Sequence, residues 1–244
     1  MHEKEIKRLA KQENDFVAQY ASSVGFSIRA RTVLVEGTTD VELFNLAARL
    51  ELEKTGVDLL KNDLAFVAAG ERDRGGTNGV NRQLITLTNM ARSFLLPSGR
   101  PKYRFIGLFD NDRAGILAVK RVREMDFSIL EYKDVFRLWP IMPLTGNLDP
   151  KTMQKTFERE NADYIGLEWE LEDLINPMFV EVFLAENYNA LKKVTPVNGK
   201  VHRNFTPDGK ARLHRFIKIN AMHEDLIEVI QTMKAIRFYA GLPI

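Results

Sequence analysis

Residues 103–115 read Tyr-Arg-Phe-Ile-Gly-Leu-Phe-Asp-Asn-Asp-Arg-Ala-Gly, an apolar run that stops at two aspartates, Asp110 and Asp112, one residue apart. At the end of a strand, residues two apart project the same way, so both carboxylates are expected at one edge of a sheet. Like charges a few ångströms apart repel, and a cation between them relieves the repulsion. The plainer chemistry open to the same pair is an Asp-rich turn in which Asp112 caps the next helix. Other carboxylates bear on the choice. Val35-Glu36-Gly37 ends an earlier apolar run at a glutamate, and Glu168, Glu170, Glu172 and Asp173 follow later. If 166–176 is helical, Glu168 and Glu172 stack at i,i+4 on one face. Hard oxygen donors of this kind suit Mg²⁺ or Mn²⁺ rather than zinc, and sites built from them make or break phosphate esters.

Elements able to position these groups are legible in the pattern of apolar residues. Buried strands are expected over 32–35, 64–69 and 105–109, and a fourth over 134–139 that ends at Pro140. Helical periods follow the first three, over 40–52, 80–94 and 113–125. Strands alternating with helices at this spacing indicate an α/β fold, a parallel sheet flanked by helices. Glu36, the loop after the second strand and the Asp110/Asp112 pair then share the carboxyl edge, where open sheets of this kind place their chemistry. The core is expected over 32–140, after an N-terminal helix and linker (1–31, the helix over 3–21) and before a mostly helical extension (141–244). Within that extension 142–165 reads as irregular with a short helix, and 178–191 as a helix. Asn198-Gly199 marks a hairpin, and helices over 208–219 and 222–239 close the chain.

The 244 residues, 45% apolar and 28% charged, are those of an ordinary globular protein. With no cysteine, disulfides, thiolate metal sites and thiol nucleophiles are excluded. The first residues lack the apolar stretch of a signal peptide, and no apolar run approaches a membrane span, which fits a cytoplasmic protein. The net charge is only +2, but it is unevenly spread. Between Glu158 and Glu186 nine acids meet one base, and between Lys192 and Lys218 eight Lys/Arg meet one acid. Adjacent blocks of opposite sign suit carboxylates that hold metal beside a basic flank that holds phosphate, with Lys200, Arg203 and Arg212 as the expected phosphate contacts; they equally suit two solvated faces. The loop over 70–79, rich in glycine, offers Arg72 and Arg74 to a nucleic-acid backbone, or is a plain surface loop.

Val35-Glu36-Gly37 followed by Phe109-Asp110-Asn111-Asp112 on a βαβαβ core resembles the Toprim domain. That domain is shared by topoisomerases, bacterial primases, recombination mediators, small ribosomal-RNA maturases and OLD-family nucleases. The remainder is most similar to the OLD branch, through Glu170-Leu171-Glu172-Asp173 and Gly209-Lys210 ahead of a helix. The resemblance implies metal ligation by Glu36, Asp40, Asp110, Asp112 and Glu172. It also implies charge stabilisation by Lys210 and cleavage of nucleic acid by a two-metal mechanism. OLD nucleases usually carry an ABC-type ATPase ahead of this domain, and no Walker sequence occurs here. Either the chain is an excised domain, or, as the expected N-terminal helix favours, it resembles the stand-alone Toprim effectors of antiphage systems, whose ATPase is a separate chain. The amphipathic terminal helices could pack on that partner or on a second copy in a homodimer. The alternative is a non-catalytic Toprim docking module of the recombination-mediator kind.

Overall fold

The computed structural model describes residues 15–61, 63–69, 76–144 and 146–244. Four parallel strands, β1 (Arg31–Val35), β2 (Leu64–Ala68), β3 (Arg104–Phe109) and β4 (Val135–Arg137), form one sheet in the order β2-β1-β3-β4. The order matters for the site. The chain leaves β1 towards β2 on one side and returns to place β3 on the other, so the reversal falls between β1 and β3. Crevices at such a reversal, outside the carboxyl ends of the strands, are where open α/β sheets bind ligands. Glu36 ends β1 and Asp110 ends β3.

Alternate residues of each strand feed two cores. Val33, Phe66, Ile106, Leu108 and Phe136 face α2 (Thr38–Thr55). Leu34, Val67, Phe105, Phe109 and Val135 face α1 (Phe16–Ser23), α3 (Thr77–Ser93) and α4 (Arg113–Met125). Gly107 lies on this second face, where an added Cβ would stand 3.1 Å from Leu84 Cδ2, so the missing side chain lets α3 close on the sheet.

The rest of the chain is not a separate layer. Helices α5 (Pro150–Glu160) and α8 (Ile227–Tyr239) bury Phe157, Met233, Ile236 and Tyr239 in the same core as Val33 and Phe136. Tyr239 stacks on Phe136 with ring centroids 4.7 Å apart. Helices α5, α6 (Pro177–Glu186) and α7 (Pro207–Asn220) each begin with a capping side chain and a proline: Asp149-Pro150, Asn176-Pro177 and Thr206-Pro207. The cap satisfies an orphan N–H and the proline presets the first helical φ. Between α6 and α7 a hairpin of β5 (Leu191–Val197) and β6 (Lys200–Phe205) turns at Asn198 and Gly199, both at positive φ as a tight two-residue turn requires.

Several boundaries differ from those expected. The fourth strand spans only Val135–Arg137, because Pro140 follows and its partner β3 has already ended. The segment 166–176 is not an α-helix. Trp169 pairs with Asn111 as an antiparallel bridge and only Leu171–Leu174 coil, as a 3-10 turn. Glu168 and Glu172 therefore share no helical face. Helix α6 stops at Glu186, and Leu191 belongs to the hairpin. A 3-10 turn, His223–Leu226, precedes α8. Of the N-terminal helix expected over 3–21, residues up to 14 lie outside the described residues, and the part seen is α1. Asp15 caps it through the Ala18 N–H and takes bonds from Tyr103 and Lys102, tying it to β3. Among the described residues no helix is long and apolar enough to cross a membrane.

Candidate functional site

The carboxyl edge of β1 and β3 collects the charge. Glu36 follows β1 at once, half-buried, and the chain after β2 returns past it: a Cβ on Gly76 would lie 3.2 Å from Glu36 Oε2. Gly76 itself has φ +84°, so a side chain there would be both strained and in the way. Four residues on, Asp40 closes the first turn of α2, its Oδ2 accepting the Gly37 N–H at 2.9 Å.

Asp110 and Asp112 take different tasks. Asp110 Oδ1 accepts the Leu171 N–H at 3.1 Å. Asp112 caps α4, accepting the Gly115 N–H at 2.7 Å, while its charge bears on Glu36. The turn and cap of the plainer reading are present, and the two carboxylates also stand among others. Gly115 makes this possible, since a Cβ there would fall 1.9 Å from the Asp110 carbonyl oxygen.

Glu170 and Glu172 arrive from far along the chain. Asn111 N–H donates to the Trp169 carbonyl at 2.8 Å and Trp169 N–H to Asn111 at 3.2 Å, which fastens the 167–171 segment to the end of β3. Asp173 locks the 3-10 turn behind it, accepting from the Glu170 and Arg203 N–H groups at 2.9 Å each and pairing with His202 Nδ1 at 2.7 Å. Lys210 lies in the first turn of α7. Gly209, whose Cβ would be 2.3 Å from the Ala190 carbonyl oxygen, lets that turn sit against Ala190. The Lys210 ammonium then reaches Glu172 Oε2 at 2.8 Å and Glu170 Oε2 at 3.3 Å. The other Glu172 oxygen meets His214 Nε2 at 2.6 Å.

Burial raises Asp40, Asp110 and Glu170 above the usual carboxylate range, partly offset by Lys210. Burial, with the repulsion of Asp40 and Asp112, pushes Glu36 up to about 7. Glu172 goes the other way. Burial would raise it, but Lys210 and the His214 hydrogen bond hold it well below its usual value. Lys210 in turn is held protonated against burial by Glu172, Asp110 and Glu170.

Glu36, Asp40, Asp110, Asp112, Glu172 and Lys210 therefore lie at one edge of the sheet, and Glu170 and His214 join them. Glu170 was legible as part of an acidic run but not as a partner of Lys210. His214 had no signal beyond membership of a basic block. Among the described residues, no three such groups are close enough to cage an ion as they stand. Lys210 occupies the centre instead, with both Glu172 oxygens engaged. The chemistry of the donors is that of a hard divalent cation: the oxygens of Glu36 and the second oxygens of Asp110 and Asp112 are the ones left for it, since Asp110 Oδ1 and Asp112 Oδ1 accept backbone N–H groups, and their mutual repulsion is what a cation would relieve.

The basic residues expected at phosphate are otherwise occupied. Lys200 pairs with Glu228 at 2.8 Å, Arg203 is buried with its guanidinium on Glu181 at 3.0 Å, and Arg212 is held by Asp208 at 2.9 Å. Arg72 and Arg74 lie outside the described residues. No protein-family model, characterised protein or solved structure matches the chain.

Proposed function

We propose that the chain is a divalent-metal-dependent nuclease that hydrolyses phosphodiester bonds in DNA or RNA. The observation that carries this reading is the convergence of Glu36, Asp40, Asp110 and Asp112 with Glu170 and Glu172 around one lysine, at the sheet's point of reversal. Held mainly by Glu36, Asp110 and Asp112, Mg²⁺ or Mn²⁺ would polarise the phosphate and activate the nucleophile in the two-metal manner. The chain's own residues do the rest. Lys210 presents a fixed positive charge toward the scissile phosphate, where negative charge develops. Glu172 and Glu170 aim that ammonium, and His214 fixes Glu172. Gly76 keeps the approach to Glu36 open. The resemblance to Toprim and OLD-family nucleases supports the same assignment, and by it the partner would be a separate ABC-type ATPase that restrains the nuclease in an antiphage system.

The test is a cleavage panel of plasmid, single-stranded DNA and transfer RNA with Mg²⁺ or Mn²⁺. E36Q and D110N are expected to lose cleavage by 10²-fold or more, on the order of an electrostatic catalytic contribution, at unchanged melting temperature. D112N keeps the α4 cap, because asparagine caps as well as aspartate. Cleavage by D110N at the wild-type rate would overturn the assignment. A second reading, a non-catalytic docking module, is favoured by one observation: Lys210 already neutralises part of the cluster. Calorimetric titration separates the two, since a docking module would bind no Mn²⁺ at millimolar concentration.

A further inference from the structure

Helix α4 starts at Asp112, inside the site, and runs outward. Its buried side is Gly115, Ala118, Val119 and Val122. Flanking that side, Arg113, Ile116, Lys120 and Arg123 recur at spacings of three and four residues, which places them in one exposed stripe along the helix. Phe127 continues the stripe just beyond the helix and is 91% exposed; Ile116 is 48% exposed. A groove of about 450 Å³ follows the stripe; Glu124 lies along it, and its other wall is Arg137, paired with Glu131 at 2.9 Å. Arg137 joins groove and site, since its Nη1 donates to Asn111 Oδ1 at 2.8 Å, between the two aspartates.

The charge along α4 is available. Among the described residues neither Arg113 nor Arg123 meets a carboxylate or any hydrogen-bond acceptor, nor does Arg121 beside them. Lys120 has only Glu124 at 3.8 Å, with both side chains largely in water. This contrasts with Lys200, Arg203 and Arg212, each held by an acid. Helix α4 thus offers open cationic charge on an element that begins at Asp112. A phenylalanine left in water at the end of a cationic stripe is the combination that single-stranded nucleic acid uses: phosphates follow the cations and a base stacks on the ring. At 1.5 Å per residue, 113–127 spans about 21 Å, room for a few nucleotides between Asp112 and Phe127.

We infer that the outer face of α4 is the track of a single-stranded nucleic acid leaving the site, with Arg113, Lys120 and Arg123 on its backbone and Phe127 stacked on a base. The inference rests on the nuclease reading for the polarity of the track, but its test does not require cleavage. Anisotropy of a labelled twelve-nucleotide single strand, DNA or RNA, is measured in EDTA with the full chain. Wild-type protein is expected to bind, and F127A to bind about 5- to 150-fold more weakly, the range of one base stack. The charge reversals R113E, K120E and R123E together are expected to flatten the salt dependence by about 0.7 logarithmic unit per lost contact. F127A is exposed and outside the metal cluster, so its fold and Mn²⁺ binding are expected to match wild type. Strand binding that F127A and the reversals leave unchanged overturns the track, as does wild-type protein that binds no strand. If F127A spares strand binding but abolishes self-association in sedimentation, the face belongs to a second copy and the track is overturned. Strand binding that needs Phe127 in a protein that never cleaves would sink the nuclease reading alone. Cleavage intact in F127A with no change in strand affinity would sink the track alone.

Discussion

At the scale of single residues, the site is a balance between buried carboxylates and one ammonium. Removing Lys210 leaves Glu172 buried with a lone partner, His214, and leaves Glu170 and Asp110 facing it. Taking one partner from a buried pair costs about 3–5 kcal/mol. K210M is therefore expected to melt markedly below wild type in EDTA. Mn²⁺ should restore more stability to K210M than to wild type, because the ion would take over the role of the lost charge; equal shifts would show that Lys210 and metal do not share the cluster. The aspartate pair and Glu36 were legible in the sequence because each ends an apolar run. Glu172 was legible as an acid but not as the anchor of Lys210, and His214 was not legible at all. Their pairing depends on α7 lying against the 3-10 turn, a long-range contact that no local spacing encodes.

Elements set these residues by close approach. The first turns of α4 and α7 each carry a glycine where a Cβ would overlap a carbonyl oxygen, Gly115 on Asp110 and Gly209 on Ala190. G115A and G209A are each expected to cost about 1–3 kcal/mol or more, as over-packing does. The loss is read as a fall in melting temperature in EDTA, where no metal offsets a displaced Lys210. A second device ties α2, which carries Asp40, to the C-terminal helices. Glu51, buried on α2, pairs with His223 Nε2 at 2.6 Å and Lys234 Nζ at 2.8 Å. Burial raises its pKa, but the bonds from Lys234 and His223 outweigh it, so the net shift is downward. A carboxyl lowered by folding contributes stability that is present above its unfolded value, near pH 4.3, and disappears as pH falls through the folded one. E51Q should therefore unfold about 2–3 kcal/mol more easily at pH 7, and the gap should close in denaturant melts as pH drops through 4 and below. Helices and buried strands were legible to within a few residues because their apolar periods are strong. The segment 166–176 was misread because composition alone cannot distinguish an acidic helix from a strand-like segment with an acidic 3-10 turn; what decides is Trp169 pairing with Asn111.

At the scale of the whole molecule, the boundary expected after residue 140 is a boundary in sequence rather than in packing. One face of the sheet is covered by α2, but also by α5 and α8 through Phe157, Ile236 and Tyr239. A fragment of residues 15–140 would leave Phe136 and Leu138 in water and is expected to lack a cooperative thermal transition in circular dichroism. The full chain should melt in one transition, and two separated transitions would show two independent units. The α/β class was legible from alternation alone. That the C-terminal half shares the sheet's core was not, because helices written as an extension and helices that cover a sheet have the same amphipathic pattern.

The bridge between Asn111 and Trp169 has a consequence during synthesis. The sheet is made first, and with it the carboxylates of Glu36, Asp40, Asp110 and Asp112. The segment that docks on Asn111 comes some sixty residues later by sequence number, and the lysine that balances the cluster lies forty beyond Glu170. A growing chain therefore passes through a stage in which the four acids have been made and their resident counter-charge has not. The centre is complete only once α7 has been made, so the charge balance of the site is among the last things the chain acquires during synthesis.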